Sequence, residues 1–508
     1  MIIIENKILG INDNLIFKKI NQQNSYQILN INSGRKIVIE NESAKLFTFL
    51  ISDYKYIIKD ISYELNYNEK LVNKMIENLK KLGFTSFIYE DKKFVLSKNI
   101  FFANFNNENY IMNFRNSSID YINNYELNYL KKGLIFNIHQ DRRNYLISRG
   151  YLEQDTKVSS TENEILNIYL IFSYKCNLAC SYCFEKDENF NIEDSNDDKY
   201  IEKLQNISKT HKFMITLYGG EPLIEENRND INKVINFIKT HSCSIRIITN
   251  GVNIPFYMKE FIMLKKYINE FVITVDGIKE IHDIRRYDKN HNGTFENIIK
   301  SIIILNHNNY KVKIRVNLDK YNINQQINFL QYISSLELNF SLIIIEYHRV
   351  DNKSNINYVP ISLISCYNLI HEIIKLKFHF NIIFAEPILN FIYNVFSNTL
   401  SINLNSGCNI KNIIVMNKNG KMNICNEAMN IDDFNINDVN KVNEDFNKIE
   451  FIGKECDLCK FYQICNGGCI LKRYYHNINK KVYCNKDELI NIVDKFLNDI
   501  ANAYSKLN

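Results

Sequence analysis

Three cysteines, Cys176, Cys180 and Cys183, stand on one short loop in the segment IYLIFSYKCNLACSYCFEKD, directly after a run that reads as a buried strand. The C-x3-C-x2-C spacing, with Tyr182 just before the last sulfur, lets three thiolates hold three irons of a [4Fe–4S] cube. The fourth iron is then open to a substrate or cofactor, which points to catalysis rather than electron storage. Zinc is the alternative. Structural zinc usually takes four protein ligands, often in C-x2-C pairs. No fourth Cys or His follows within this loop, and the first downstream His is His211.

From about Leu166 to about Ile383 short β-branched apolar runs alternate with stretches of helical periodicity. The strand candidates are LNIYLIFSY, KFMITLYGG, CSIRIITNG, EFVITVDG, KVKIRVNL and FSLIIIEYHR. NDINKVINFIKTH and FENIIKSIIILNHN read as helices between them. Six β/α units predict a parallel sheet with right-handed crossovers, with the chemistry at the C-terminal ends of the strands. Those ends carry Gly219-Gly220-Glu221-Pro222, Thr249-Asn250-Gly251, and Thr274-Val275-Asp276-Gly277 followed by IKEIHDIRRYDKNHNGTF. A lone GGEP is an ordinary tight turn. The order of the three segments behind a cysteine loop is the informative part.

In that order the segments resemble the radical S-adenosylmethionine (radical SAM) enzymes. The resemblance implies an α/β fold with a partial (β/α)6 barrel over residues 161–400, a [4Fe–4S] cluster on Cys176, Cys180 and Cys183, and S-adenosylmethionine on the open iron. It also implies cofactor contacts from Tyr182, Gly219, Gly220, Glu221, Thr249, Asn250, Thr274, Asp276 and Arg286. The GGEP turn would offer backbone carbonyls to the methionyl ammonium, and Arg286 a charge-assisted bond to the methionyl carboxylate. Of the adjacent pair Arg285 and Arg286, one reads as a surface charge.

After about Ser406 the strand–helix rhythm stops and seven cysteines follow: Cys408, Cys425, Cys456, Cys459, Cys465, Cys469 and Cys484. Their spacing resembles the SPASM extension of radical SAM enzymes, here residues 401–508, with paired zinc knuckles as the other reading of C-x2-C. The resemblance implies two auxiliary [4Fe–4S] clusters, one on Cys456, Cys459, Cys465 and Cys484, the other on Cys408, Cys425 and Cys469. The second is one ligand short, and its open iron suits a substrate thiolate, a non-Cys ligand or water. Anaerobic sulfatase-maturing enzymes are similar but carry an acidic residue after the cysteine matching Cys425. This chain has Asn426, which cannot accept a proton at neutral pH. Glu427 would point the other way on an extended chain.

Residues 1–98 read as a winged-helix-like domain: RKIVIE as a strand, NESAKLFTFLI, YIIKDISYEL and NEKLVNKMIENLKKLGF as helices, and TSFIYEDKKFVLS as a hairpin. Leu71, Met75, Leu79 and Leu82 form the apolar stripe of the third helix. A winged helix can bind DNA. Beyond Lys80 and Lys81 the presumed recognition helix has little basic clustering, so a nucleic-acid partner is not expected. The segment resembles the PqqD-like element that captures leader peptides by adding a strand. Residues 99–160 resemble the α+β lead-in of SPASM peptide maturases, with a strand pair, helices and a Gly-aromatic turn. ELINIVDKFLNDIANAYSKL reads as an amphipathic helix packing on the SPASM domain.

The net charge of +5 over 508 residues implies no nucleic-acid partner, and no apolar run reaches membrane-spanning length. MIIIENK lacks the long apolar stretch of a signal peptide, so a cytoplasmic, reducing location is expected, where twelve cysteines suit clusters better than disulfides. Cys243 and Cys366 fall outside the motifs and read as small buried apolar residues. Together these readings predict a radical SAM/SPASM oxidoreductase acting on a ribosomal precursor peptide with a leader and a cysteine, served by an electron donor such as ferredoxin or flavodoxin. The expected product is a thioether between the Cys sulfur and a carbon. Formylglycine formation, carbon–carbon crosslinking and a DNA-binding iron–sulfur sensor are the alternatives.

Overall fold

The computed structural model describes residues 8–11, 15–19, 25–30, 36–40, 45, 66–81, 85–88, 94–97, 100–133, 135, 138–154, 165–183, 185, 199–241, 243–349, 359–397, 412–439, 456, 459, 461–465, 469, 471, 474 and 484–505. The chain divides into two compact units, Met1–Asn113 with Ser118–Ser159, and Phe114–Ser117 with Ser160–Asn508.

In the first unit, strands β1 (Ile8–Ile11), β2 (Leu15–Lys19), β3 (Ser25–Asn30) and β4 (Lys36–Glu40) precede a helix, Glu69–Lys81. β2, β3 and β4 form an antiparallel meander. On the helix Val72 and Met75 are buried while Leu71 is exposed. NESAKLFTFLI apart from Lys45, and all of YIIKDISYEL, lie outside the described residues, as do Leu82 and the side chains of Leu79 and Lys80.

The expected hairpin is not formed. β5 (Thr85–Ile88) pairs with β1, and β6 (Phe94–Leu96) pairs with β10 (Leu152–Gln154). The reason is burial: Phe94 and Leu96 pack against a core of Ile100, Ile111, Ile122, Leu130, Leu146, Tyr151 and Leu152. A hairpin standing alone would leave those side chains in water. The same core lies under a three-stranded meander, β7 (Ile100–Phe105), β8 (Glu108–Asn113) and β9 (Ser118–Ile122), where a strand pair was expected. A capping box between Asn123 and Glu126 starts the next helix, Asn124–Lys131.

The second unit is built on a ten-stranded sheet. The six predicted strands are β11 (Leu166–Ile171), β12 (Phe213–Tyr218), β13 (Ser244–Thr249), β14 (Ile268–Thr274), β15 (Val312–Leu318) and β16 (Ile343–Arg349). They lie side by side in sequence order and all parallel. Two further parallel strands flank them: β17 (Asn381–Phe384) beside β16, and β18 (Ile413–Asn417) beside β11. The strand rhythm therefore does not end at Ser406. The sheet runs on into the cysteine-rich region through β18, then antiparallel β19 (Met422–Asn423) and β20 (Asn435–Ile436).

Alternation along the strands separates two faces. On β15, Val312, Ile314, Val316 and Leu318 are buried under the helices, while Lys313, Arg315 and Asn317 are half-buried on the opposite, inner face. The helix Arg228–His241 buries Ile231, Val234, Ile235 and Ile238, an i, i+3, i+4, i+7 stripe. The helix Lys486–Ser505 packs on the helices Leu363–Leu376 and Pro387–Ser397. Phe496 sits between Phe391 and Phe396, with ring centroids 5.7 and 5.4 Å away, and Tyr367 donates to Asp499 at 2.6 Å. Its buried Phe, Ile and Leu side chains find apolar partners there. Among the described residues, no helix is long and apolar enough to cross a membrane.

Phe496→Ala removes a fully buried ring from this helix junction. We expect a loss of about 3–5 kcal/mol, seen as a lower unfolding midpoint and as protease cleavage in the C-terminal helix at concentrations that spare the wild type.

Candidate active site at the strand ends

The cysteine loop leaves β11 and is fastened by three neighbours. The GGEP turn comes first: Glu221 N donates to the Lys175 carbonyl at 2.9 Å, and Gly220 lies so close that a Cβ there would stand 2.4 and 2.3 Å from the Tyr174 and Lys175 carbonyl oxygens. Only glycine permits that approach. The TNG turn is second: Asn250 Nδ2 donates to Asn177 Oδ1 at 2.7 Å and reaches the Cys176 sulfur at 3.8 Å. The third is the segment after the helix Lys279–Arg285, where Ala179 N donates to Tyr287 O at 2.7 Å and Ser181 N to Arg285 O at 2.8 Å.

Glu221 holds the first two turns together. Its buried carboxylate accepts from Leu223 N at 2.9 Å, Thr249 Oγ1 at 2.7 Å and Asn250 N at 2.7 Å. Burial raises its pKa and these three donors oppose that rise. Asp276 braces in the same way. It is wholly buried and accepts from the Tyr182 hydroxyl at 2.5 Å and from Arg285 Nε at 3.2 Å. Glu221 and Asp276, expected to line a cofactor pocket, thus stand at the strand ends with their carboxylates held by donors inside the protein. Thr249 is likewise buried, and Thr274 stands half-buried at the end of β14, opposite Arg315.

The two arginines divide. Arg285 is structural rather than a surface charge: it bridges Asp276 and Asp319, the latter at 2.6 Å, and stacks over the Tyr182 ring at 4.9 Å. Arg286 is also buried and donates from Nη1 to the Tyr182 hydroxyl at 2.8 Å, but its buried Nε has no hydrogen-bond partner among the described residues. A buried donor without an acceptor is costly, so Arg286 fits an anionic group such as a carboxylate.

Sequence reasoning missed a polar ladder on the inner face. Arg246 meets Glu270 at 2.7 Å, Lys313 meets Glu346 at 3.4 Å, Arg315 meets Glu346 at 3.4 Å, and His348 lies 2.8 Å from Glu346. These contacts hold Glu346 far below the usual carboxylate range, against its burial, while burial lowers the pKa of His348. Polar residues at every second position of KVKIRVNL and IIIEYHR were the available signal. Above the ladder, the Tyr169 and Tyr218 rings meet edge to face at 5.6 Å. Burial pushes the Tyr218 hydroxyl pKa up, and the nearby charges of Glu185 and Glu427 push it further. Glu185, two residues past Cys183, has a carboxyl pushed up to about 7 by burial and then by the charges of Glu427 and Glu221. Asn426 and Glu427 stand in a turn rather than on an extended chain.

Burial pushes the Cys176 and Cys183 thiols up to about 12 and 11. An electropositive iron centre is what would draw them into the thiolate form. Among the described residues no three His, Cys, Asp or Glu side chains converge tightly enough for a single metal ion; in a cubane each thiolate goes to its own iron. The loop, the tight glycine and the Arg286 guanidinium with its unpartnered Nε fit a cluster with an anionic ligand beside it. Of the later cysteines, Cys425 follows β19 with its N–H bonded to Asn423 Oδ1 at 2.8 Å. Cys456, Cys459, Cys465 and Cys469 are half-buried and Cys484 is exposed. Cys408 lies outside the described residues. Cys366 is buried, as expected, and Cys243 is half-buried.

Glu221→Gln turns an acceptor for three donors into a group with one donor of its own. We expect a loss of about 2–3 kcal/mol in urea unfolding and a lower iron-to-protein ratio after anaerobic reconstitution.

Residues 170–333 match the family model of the Radical SAM superfamily. The chain is 29% identical over 283 residues to the radical SAM cyclopropyl synthase TigE of Paramaledivibacter caminithermalis, covering 48% of this chain and 56% of that protein. It is 29% identical over 190 residues to a cysteine-type anaerobic sulfatase-maturating enzyme of Clostridium novyi, covering 32% of this chain and 50% of that one. The chain thus spans about half the length of these curated relatives. Among solved structures, Streptococcus suis SuiB bound to precursor peptide SuiA aligns over 91% of this chain and 95% of that one, at 14% identity and a TM-score of 0.46. The strand-end site therefore lies within the segment that matches the Radical SAM superfamily, and the cofactors that go with that match are a [4Fe–4S] cluster and S-adenosylmethionine.

Proposed function

We propose that this protein modifies a ribosomally made, cysteine-containing precursor peptide, joining the cysteine sulfur to a carbon as a thioether. Cys176, Cys180 and Cys183 hold the radical-generating cluster. Gly219 and Gly220, with the Asn250 turn and Arg286, receive the amino acid end of S-adenosylmethionine. When bound, the cluster and S-adenosylmethionine supply a 5′-deoxyadenosyl radical that removes a hydrogen atom from substrate carbon. Tyr182 fixes the Arg286 guanidinium, and Asp276 fixes Tyr182. Arg315, His348 and Tyr218 on the inner face hold the substrate under the loop.

The observation that carries this reading is the parallel pairing of β18, which leads to Cys425, with β11, which leads to Cys176. It supports placing the second cysteine system, which begins at Cys408 and Cys425, beside the radical site. Cys456, Cys459, Cys465 and Cys484 on one side, and Cys408, Cys425 and Cys469 on the other, would then hold the auxiliary clusters of a SPASM domain in residues 401–508. The N-terminal sheets and helix serve as PqqD-like leader recognition within residues 1–98, followed by the lead-in 99–160.

Formylglycine formation is the second reading. It is favoured by the turn that brings Glu427 near Glu185, which offers a carboxylate where Asn426 offers none.

Mass spectrometry of a cognate cysteine-bearing peptide separates these outcomes. A thioether appears as the loss of two hydrogens per link, and formylglycine as the loss of the cysteine sulfur. An unchanged mass with altered stereochemistry means epimerisation and sinks the proposal. Cys176→Ala should abolish release of 5′-deoxyadenosine, whereas Cys456→Ala should spare it at least in part.

A further inference from the structure

The segment that follows the helix Lys279–Arg285 crosses the cysteine loop as a short antiparallel strap. Leu178 bridges Asp288, Ala179 N donates to Tyr287 O at 2.7 Å, and Ser181 N donates to Arg285 O at 2.8 Å. This register leaves Cys180 directly opposite Arg286, in the position between two hydrogen-bonded pairs. Residues so placed share a face, with Cβ atoms about 5 Å apart. The strap is itself anchored: Thr294 Oγ1 donates to Arg286 O at 2.8 Å, Tyr287 bridges Gly293, and Asp288 N donates to Asn292 O at 3.0 Å. The Arg286 side chain is buried, and Nη1 is fixed on the Tyr182 hydroxyl.

We infer that Arg286 is an electrostatic positioning residue for the cluster as well as for its ligand: its cross-strand guanidinium lowers the energy of the reduced cluster and so eases its one-electron reduction. This rests on the reading that Cys176, Cys180 and Cys183 hold a [4Fe–4S] cluster. Reduction adds one negative charge to the cluster and its thiolates. A buried positive charge beside one ligand stabilises that state more than the oxidised one, and net charge and hydrogen bonds to sulfur are the levers by which proteins set such potentials. Cys176 has donors of its own in Leu178 N at 3.4 Å and Asn250 Nδ2 at 3.8 Å. Around Cys180 the charge comes from Arg286, which the Cys180 thiolate in turn holds in its charged form.

The test is an anaerobic redox titration of the reconstituted full-length protein with dithionite, followed by electron paramagnetic resonance without S-adenosylmethionine. The loop cluster's signal is the one absent from the Cys176→Ala, Cys180→Ala, Cys183→Ala triple variant. Arg286→Gln should move that signal's midpoint to more negative potential, Arg286→Lys should stay close to wild type, and the other signals should not move. Tyr182→Phe, which removes only the hydroxyl that fixes the guanidinium, should shift the midpoint the same way by less. It answers the question if the Gln variant does not load. A loaded loop cluster whose midpoint is unchanged in the Gln variant, or in Tyr182→Phe where that stands in, overturns the inference while the cluster reading survives. A wild-type protein without that signal overturns both.

Discussion

The cysteine loop cannot hold its own shape, and the architecture around it follows from that. Apart from the Cys183 N–H to Cys180 O contact at 3.3 Å and the Leu178 N–H to the Cys176 sulfur at 3.4 Å, the backbone bonds described above for the loop go to other segments. Three thiols must nevertheless keep fixed directions, since a cluster tolerates little displacement of its ligands. The parallel sheet answers this by bringing separate strand ends to one edge, so that the turns after β12 and β13 and the strap beyond β14 all reach the loop. Glu221 ties the first two turns to each other, and Asp276 with Arg285 and Asp319 ties the third to β15. Buried charges of this kind are costly unless fully paired. Each carboxylate here is matched by backbone donors or a guanidinium, which makes the frame rigid without leaving a bare charge in it.

What could be read from the sequence follows this division. The six strands and their order were legible, because each is a β-branched run ended by glycine or a polar motif at regular spacing. NIIF and NIIVMN were not. Each is short and bears no motif, and IIVMN becomes a strand by pairing with β11, some 245 residues earlier in the chain (Ile168 with Ile414). Local pattern cannot announce such a partner. FVL was read as half of a hairpin for the same reason: its proximity to TSFI was visible and the distant core that buries Phe94 was not. At the site, residue types were legible but their orientation was not. Glu221 and Asp276 stand at the right strand ends, yet their oxygens turn inward, and Arg285 beside Arg286 looked surplus until Asp319 was seen to claim it.

The inner face then shows why this frame is not simply a stable barrel. Apolar side chains in place of Arg246, Glu270, Lys313, Arg315 and Glu346 would often give an interior as stable or more so. Their pairing is also incomplete: Arg315 reaches a single Glu346 oxygen, by two contacts of 3.4 Å, and its side chain keeps a quarter of its surface exposed. A guanidinium so loosely bridged, on the inner face of a sheet, has capacity left for a ligand. Asn317, two residues further along β15, already touches the Tyr182 hydroxyl at 3.3 Å. A step of two strand residues is about 7 Å, so Arg315 stands one such step below a residue in contact with the cysteine loop. The ladder costs stability that an apolar interior would not, and what it gives in return is a polar floor directly beneath the loop.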